Sequence, residues 1–303
     1  MPTEQEILET IRKIIPNSKN YLFDDAAIIE KNLIVTTDTL VENTHFTLKT
    51  YTPEEIGWKA LAVNLSDIAA MGGKPLYALV SLSLPKHIKI KWIERFYKEL
   101  VTCAKRYKTK IIGGNLAKSR EINITITVIG KAVVKTPRRG VSTRSNAKSG
   151  DLVFTTGTFG DAAAQNYKTK TLPQIELGQK IVRACFKHPP ALMDASDGLA
   201  DCLIQIAKQS NVKIIIDRDK IPISQNTKKA VEMLNKELLN LALYGGEDYQ
   251  LVGTASRIDC KKLENLKGIK IIGKVIKGNG AFLKQNNNKL VKLDLQKTYE
   301  HFK

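Results

Sequence analysis

Residues 52–73 read TPEEIGWKALAVNLSDIAAMGG, and this stretch is the clearest helix signal in the chain. Thr52 is suited to cap the helix, and Glu55 three residues later completes a capping box. Pro53 fits the first helical turn. The glycines at 72 and 73 predict where the helix ends. The apolar positions that recur at helical spacing are Trp58, Leu61, Leu65 and Ile68.

Short strands surround this helix along the chain. The candidate strands are residues 25–29, 33–37, 78–84, 111–112 and 122–128. Gly113 and Gly114 are expected to end the fourth of them. The strict alternation of the last is typical of a half-buried strand. A second long helix is predicted for about residues 89–107.

A polar, basic stretch at 135–151, KTPRRGVSTRSNAKSGD, separates this half from the next. We place the domain boundary near residue 145, with one domain at 1–145 and another at 146–303. The second half mixes strands with helices again, including a helix predicted for residues 197–209. The sequence therefore predicts an α+β fold of two domains, with mixed sheets that helices cover on one side.

The bulk composition excludes some classes of protein. No apolar run approaches the 18 or more residues that a membrane span needs, and residues 1–16 lack the pattern of a signal peptide. We therefore expect a cytoplasmic protein with no membrane partner. The formal net charge of +18 comes mostly from scattered lysines without interleaved aromatic residues, so nucleic acid is not the expected partner. The four cysteines are expected to be buried thiols.

Aspartates stand out at positions where they do not help local structure. Asp25 precedes an apolar strand, Asp38 follows another, and Asp194 and Asp197 flank Ser196 at a strand-to-helix junction. Singly, each of them could be a turn former, a cap or a surface charge.

One further aspartate, Asp67, lies near the C-terminus of the 52–73 helix, where the helix dipole disfavours an anion by about 0.3–1 kcal/mol. Together, these carboxylates predict a shared cation site at a cleft. Oxygen ligands with few histidines favour magnesium over zinc.

Residues 196–198, Ser-Asp-Gly, open a predicted helix. Free backbone N–H groups at a helix start can hold a phosphate group, directly or through a metal. The alternative is that Ser196 or Asp197 only caps the helix. The P-loop and the G-x-G-x-x-G fingerprint are both absent from the sequence.

Seven ordered blocks of sequence resemble the thiamine-monophosphate kinase family. That family belongs to a wider group with aminoimidazole ribonucleotide synthetase, selenophosphate synthetase and a hydrogenase-maturation protein. The match spans nearly the whole chain, in the order and rough spacing of the family. The blocks are DDAAII (24–29), TTDTLVENTHF (36–46), LAVNLSDIAAMGG (61–73), IIGGN (111–115), TRSNAKSGD (143–151), MDASDGL (193–199) and YGGEDYQL (244–251).

The resemblance implies a fold and a set of roles. It implies an N-terminal ATP- and magnesium-binding domain whose mixed sheet pairs with that of a second subunit in a homodimer. A C-terminal α/β domain then completes the active site. The implied magnesium ligands are Asp25, Thr36, Thr37, Asp38, Asp67, Asn115, Asp194 and Asp197. The implied ATP contacts are Gly114, Asn115, Arg144 and Ser196. The implied substrate contacts are His45, Glu247 and Tyr299. The residues expected to act in catalysis are Asp25, Asp38, Asp67, Asp194 and Arg144.

The implied reaction is a magnesium-assisted, in-line transfer of the γ-phosphoryl group of ATP to thiamine monophosphate. Asn115 departs from the aspartate usual in the family, which removes one negative charge from the implied metal site. Arg144 has a surface role as its alternative, and His45 a role as a plain turn residue.

Three other functions stay open. The chain could be a related ATP-dependent synthetase of the same fold. It could also be a nucleotide-binding homologue whose catalysis is impaired by Asn115, or a nucleic-acid-binding module. The synthetase of the selenophosphate type relies on a reactive N-terminal cysteine or its equivalent, and this chain has no cysteine before Cys103.

Overall fold

The structure is a computed structural model that describes residues 3–16, 24–29, 32–133, 142–185, 188–234 and 237–301. Two mixed β-sheets and a set of helices form these parts of the chain. The α+β class predicted from the sequence is therefore confirmed. The four cysteines are free and buried, as expected.

The first sheet is formed by the N-terminal half of the chain. Its strands are β1 (Ala27–Ile29), β2 (Leu33–Val41), β3 (Gly73–Leu84), β4 (Lys110–Lys118) and β5 (Asn123–Ala132). They lie in the order β1-β2-β5-β3-β4, and only the β3–β4 pair is parallel. Because β2 continues to Val41, Asp38 lies within the strand and does not follow its end.

Strand β4 also differs from the expectation. Gly113 and Gly114 do not end it, and the strand continues to Lys118. At Gly114 a Cβ atom would lie 1.7 Å from the carbonyl oxygen of Val80 on β3. The glycine is therefore needed for the close approach of the two strands, and it does not act as a strand breaker here.

The second sheet is formed by the C-terminal half. Its strands are β6 (Leu152–Thr156), β7 (Ala191–Asp194), β8 (Lys213–Asp217), β9 (Leu251–Ala255), β10 (Ile269–Ile276), β11 (Gly280–Lys284) and β12 (Leu290–Lys292). They lie in the order β12-β11-β8-β10-β6-β9-β7, with β8 and β11 parallel.

Helices cover these sheets. They are α1 (Glu4–Ile14), α2 (Pro53–Ala70), α3 (Ile90–Arg106), α4 (Asp161–Ala164), α5 (Ile175–Ala184), α6 (Leu199–Ser210), α7 (Gln225–Leu234), α8 (Leu238–Tyr244) and α9 (Arg257–Leu263). Among the described residues, no helix is both long enough and apolar enough to span a bilayer.

Helix α2 lies at the centre of the molecule. Its capping box forms as predicted, with Thr52 accepting from the backbone N–H of Glu55. Helices α3 and α5 both pack closely against it. A Cβ at Gly57 would lie 2.2 Å from a carbonyl oxygen of α3, and one at Gly178 of α5 would lie 2.2 Å from the carbonyl oxygen of Ala69. Helix α2 is thus buried on nearly all sides, including at polar positions such as Lys59 and Asn64.

The two halves share a hydrophobic core. Leu61 and Leu65 of α2 belong to the same cluster as Phe154 of β6 and Leu251 of β9. The predicted boundary near residue 145 lies between β5 and β6, and the division into two domains stays a prediction.

Candidate active site

A cleft of about 1330 Å³ lies where β2, α2 and the loop at 244–249 meet. Most of the site residues predicted from the sequence line it. They are Asp25, Thr36, Thr37, Asp38, His45, Asp67, Arg144, Asp194, Ser196, Asp197, Glu247 and Tyr299. The fold therefore brings segments that are distant in sequence to one place.

Three carboxylates from three elements meet in this cleft. Asp25 precedes β1, Asp67 lies in the last turn of α2, and Asp194 ends β7. One carboxylate oxygen from each lies within 4.8 Å of the other two. The side chain of Asp25 is only 1% exposed. Like charges this close repel one another, and protons, the neighbouring Arg144 or a metal ion can relieve the repulsion.

Burial raises the pKa of each carboxyl group in and beside this cluster. The pKa of Asp194 is raised to about 8, by burial and then by the charge of Asp25. Burial and the charge of Asp38 raise the pKa of Asp67 well above its usual value. The pKa of Asp38 is itself raised to about 6 by burial and by the charge of Asp25. A divalent cation would favour the charged forms of these groups.

Strand β2 and helix α2 support the cluster through hydrogen bonds. The hydroxyl group of Thr36 donates to Oδ2 of Asp67 at 2.5 Å. The backbone N–H of Asp38 donates to Oδ1 of the buried Asn64 at 3.0 Å. Thr36 and Asp38 are two residues apart on a strand, so both side chains lie on one face of β2. Their common face explains why both belong to the site.

Arg144 is held inside the cleft by the acidic segment before β1. Its Nη2 donates to Oδ1 of Asp25 at 2.5 Å, and its backbone N–H donates to Oδ1 of Asp24 at 2.7 Å. Its carbonyl oxygen accepts from the hydroxyl group of Ser210 on α6. The alternative of a solvated surface role for Arg144 is therefore wrong.

The alternative that Ser196 or Asp197 caps α6 is wrong, whereas phosphate binding at the helix start stays a prediction. Gly198, with φ of 107°, is the residue that precedes α6, and no side chain caps the helix there. Ser196 and Asp197 are thus free of a capping role and line the cleft. Burial raises the pKa of Asp197 to about 7, with the charge of Asp201 as the next cause.

The residues predicted to contact the substrate lie around the same cleft. Nδ1 of His45 accepts from the backbone N–H of Val41 at 2.9 Å. Burial, followed by the neighbouring His301, lowers the pKa of His45 to about 4, so its ring is neutral at pH 7. His301 joins the rings of His45 and Tyr299, with centroids 5.1 and 5.0 Å away. His45 therefore lies in a turn that lines the cleft, and its role toward the substrate stays a prediction.

One residue of the site escaped the sequence analysis. Lys59 of α2 reaches Glu247, and its Nζ lies 2.8 Å from both carboxylate oxygens. A signal was available, because Lys59 is the single basic residue of a helix whose neighbouring positions, from Ile56 to Val63, are otherwise apolar or glycine. What the sequence alone does not give is the partner, which is 188 residues away.

Comparison with known proteins identifies the family. The thiamine-monophosphate kinase of Aquifex aeolicus is 35% identical over 295 residues, with 91% of this chain and 92% of the relative covered. The chain belongs to the thiamine-monophosphate kinase family. The thiamine-monophosphate kinase of Synechococcus elongatus is 31% identical over 329 residues, covering 99% of this chain and 96% of its own.

Two further comparisons agree with this family. Residues 23–132 match the AIR synthase related protein, N-terminal domain. A solved structure of AaThiL complexed with AMPPCP and TMP matches with a TM-score of 0.86 and 32% identity, covering 99% of this chain and 97% of that chain. The resemblance inferred from the sequence blocks is therefore confirmed, together with its fold.

The donor set of this kinase-family cleft fits magnesium. Hard oxygen ligands from carboxylates and a threonine hydroxyl group suit Mg²⁺. The second carboxylate oxygen of Asp25, Oδ2, is buried, and no hydrogen-bond partner reaches it from the described residues. A buried, unpaired carboxylate oxygen beside two other carboxylates is a suitable ligand for a cation.

Three predicted residues of the thiamine-monophosphate kinase pattern lie apart from the acidic cluster. Thr37 lines the cleft, but its hydroxyl group donates to the carbonyl oxygen of Ile126 on β5. Gly114 and Asn115 are on β4, separated from β2 by β5 and β3. At a strand spacing of about 4.8 Å, that places them roughly 14 Å from β2. Their roles toward metal and ATP stay predictions.

Proposed function

We propose that this chain transfers the γ-phosphoryl group of ATP to the phosphate of thiamine monophosphate, giving thiamine diphosphate and ADP. The observation that carries the proposal is the meeting of Asp25, Asp67 and Asp194 in one cleft with His45 and Glu247. The acidic cluster suits a metal-bound triphosphate, and the other two residues suit an organic acceptor. The relatives named for this reaction support the same assignment.

The acceptor needs little chemical activation. A phosphate monoester has a second pKa of about 6, so its oxygens are already charged at pH 7. No general base is then required. His45, whose ring is neutral at pH 7, therefore does not need to take a proton from the acceptor. The main obstacle is repulsion between two polyanions.

We propose that Asp25, Thr36, Asp38, Asp67, Asp194 and Asp197 hold Mg²⁺. When bound there, the ion neutralises phosphate charge and orients the reacting oxygens. Arg144 adds a positive charge beside the cluster, and the turn at Ser196 lies next to it. These residues would align the γ-phosphoryl group with the acceptor oxygen and exclude water from the line of transfer.

We further propose that the active form is a homodimer. Strand β4 is at the edge of the first sheet, and its side chains Ile112 and Leu116 are 55% and 74% exposed. An exposed apolar edge strand favours pairing with another strand. In a dimer paired there, Gly114 and Asn115 could act on the nucleotide of the partner, which would account for their distance from their own cleft.

The site is expected to work in the cytoplasm on small molecules, and the absence of a nucleic-acid partner stays a prediction.

ADP release, coupled to an enzymatic readout, tests the function. We expect ADP only when ATP, Mg²⁺ and thiamine monophosphate are all present, with thiamine diphosphate formed in equal amount. Aminoimidazole precursors and selenide should give no ADP. ADP release that ignores thiamine monophosphate would contradict the proposal.

A further inference from the structure

Lys59 is a buried lysine that contacts two of the residues expected to bind the acceptor. Lys59 is 6% exposed, although lysine is rarely buried unless it is paired. Its ammonium group lies 2.8 Å from both carboxylate oxygens of Glu247 and 3.5 Å from the carbonyl oxygen of His45. The ring of Tyr51 lies 5.4 Å away on another side. One ammonium group therefore touches two of the three residues predicted to contact the acceptor, Glu247 and His45.

The position of Lys59 on α2 connects the two ends of the site. Lys59, Val63 and Asp67 are four residues apart in turn, so they follow one stripe of the helix. Val63 and Asp67 line the cleft, whereas Lys59 lies beneath the carboxylate of Glu247. The same helix thus carries a metal-site carboxylate and the support of the acceptor site.

Glu247 also has an unusual backbone. Its φ is 57°, in the left-handed region that a residue with a side chain rarely adopts. Its backbone N–H donates to the carbonyl oxygen of Ser196 at 2.6 Å. Such a conformation persists only where the surroundings hold it, and it occurs often at functional sites. Here Lys59 holds the side chain and Ser196 holds the backbone.

We infer that Lys59 is a positioning residue for the acceptor, acting through Glu247. The inference rests on the proposed function, since it assumes that Glu247 meets thiamine monophosphate. The ammonium group fixes the Glu247 carboxylate in one orientation and balances its charge. A carboxylate whose charge is balanced in this way suits a hydrogen bond from a neutral amino group, such as that of an aminopyrimidine. It also competes less with the acidic cluster for the metal ion.

The test separates positioning from simple structural support through the Michaelis constants. In Lys59→Met the KM for thiamine monophosphate should rise about ten- to hundredfold, as expected for losing a charged hydrogen-bonded pair, while the KM for ATP stays within about twofold. Lys59→Arg, which keeps the charge, should recover part of the loss. Equal changes in both KM values would overturn the inference.

A matched control is available nearby. Lys170 pairs with Glu99 at 2.9 Å and lies over the ring of Trp58, the residue next to Lys59. Lys170→Met removes a Lys–Glu pair of similar length outside the cleft. It should leave both KM values unchanged. A rise in the acceptor KM as large as that of Lys59→Met would mean that loss of any such pair has this effect, and would overturn the inference.

A comparison within the Glu247→Gln background provides the decisive test and does not need the Lys59→Met single variant to fold. Glu247→Gln removes the partner charge and leaves Lys59 in place. If Lys59 acts through Glu247, adding Lys59→Met to Glu247→Gln should change the acceptor KM by less than about twofold. A full additional effect in that background would overturn the inference. Wild-type protein without any thiamine-monophosphate turnover would instead overturn the proposed function.

Discussion

Burying single charged residues in the cleft lowers the stability of the fold, and the ligands proposed for the cleft would explain why these residues are there. Asp194 is 3% exposed, and its pKa of about 8 means that the folded chain resists its charged form. Removing such a charge should stabilise the protein while harming its chemistry, as is common where stability and activity conflict. Asp259 on α9 shows the opposite case. Burial raises its pKa, but hydrogen bonds from Lys262 and Ser256 lower the pKa by a larger amount, so that it lies below its usual value.

Asp194→Asn should therefore raise stability and lower activity together. At pH 8 without Mg²⁺, we expect Tm to rise by about 1.5 °C, which corresponds to about 1 kcal/mol for a chain of this size. Turnover should fall about a hundred- to a thousandfold, because the phosphoryl group loses electrostatic stabilisation. Differential scanning calorimetry and the ADP assay measure the two effects.

Asp259→Asn is the matched control for this variant. It should lower Tm, because it breaks the pair with Lys262, and leave turnover unchanged. Were Asp194→Asn to lower Tm as well, the carboxyl group would be a structural hydrogen-bonding residue and not a strained ligand.

At the scale of single elements, β4 shows what glycine does in this sheet. A Cβ at Gly114 would lie 1.7 Å from a carbonyl oxygen, whereas a Cβ at Gly113 would only touch the Leu79 side chain at 3.5 Å. The two backbones have nearly the same φ, 159° and 156°. Substitutions at the two positions therefore differ mainly in the contact with β3.

Gly114→Ala should cost far more stability than Gly113→Ala. We expect the first to lower the free energy of unfolding by at least about 2 kcal/mol more than the second, because β4 must move away from β3. Urea unfolding compares the two variants, and light scattering reports whether the movement also weakens self-association. Equal loss of stability in both would show that backbone conformation alone sets the cost.

Helix α2 and strand β4 also show how far the sequence reaches. The capping box and the ends of α2 could be predicted, because Thr52, Glu55 and the glycines at 72 and 73 act locally. The course of β4 could not, because the approach to Val80 that requires Gly114 depends on a partner strand. The link between Lys59 and Glu247 is of the same kind, since periodicity carries no information about partners that are remote in sequence.

The acidic residues of the site were predictable only as a group. Asp25, Asp67 and Asp194 each had an ordinary local explanation, and the family pattern was needed to join them. The structure brings these three together but leaves Asn115 on a sheet edge. The role of Asn115 therefore stays a prediction of the family pattern.

For the whole molecule, the raised pKa values link stability to pH and to metal. The pKa of Asp24 and of Asp38 is raised to about 6, that of Asp197 to about 7 and that of Asp194 to about 8. A carboxyl group whose folded pKa is raised contributes stability below its unfolded pKa near 4. That contribution is lost as pH rises from about 4 through about 8.

Mg²⁺ should counter this loss, because it binds the charged carboxylates and releases their protons. We expect Mg²⁺ to raise Tm more at pH 8 than at pH 6, at matched ionic strength. Comparing the two increments avoids the general effect of pH on a chain with a net charge of +18. A larger increment at pH 6 would contradict the assignment of these carboxyl groups to a metal site.

The account depends on one claim, that Asp25, Asp67 and Asp194 form a single site for a divalent cation. Calorimetric titration of Mn²⁺ into the nucleotide-free protein at pH 8 tests it most directly. We predict saturable binding to the wild type, at least about tenfold weaker binding to Asp67→Asn, and unchanged binding to Asp259→Asn. Binding to Asp67→Asn as tight as to the wild type would contradict the claim.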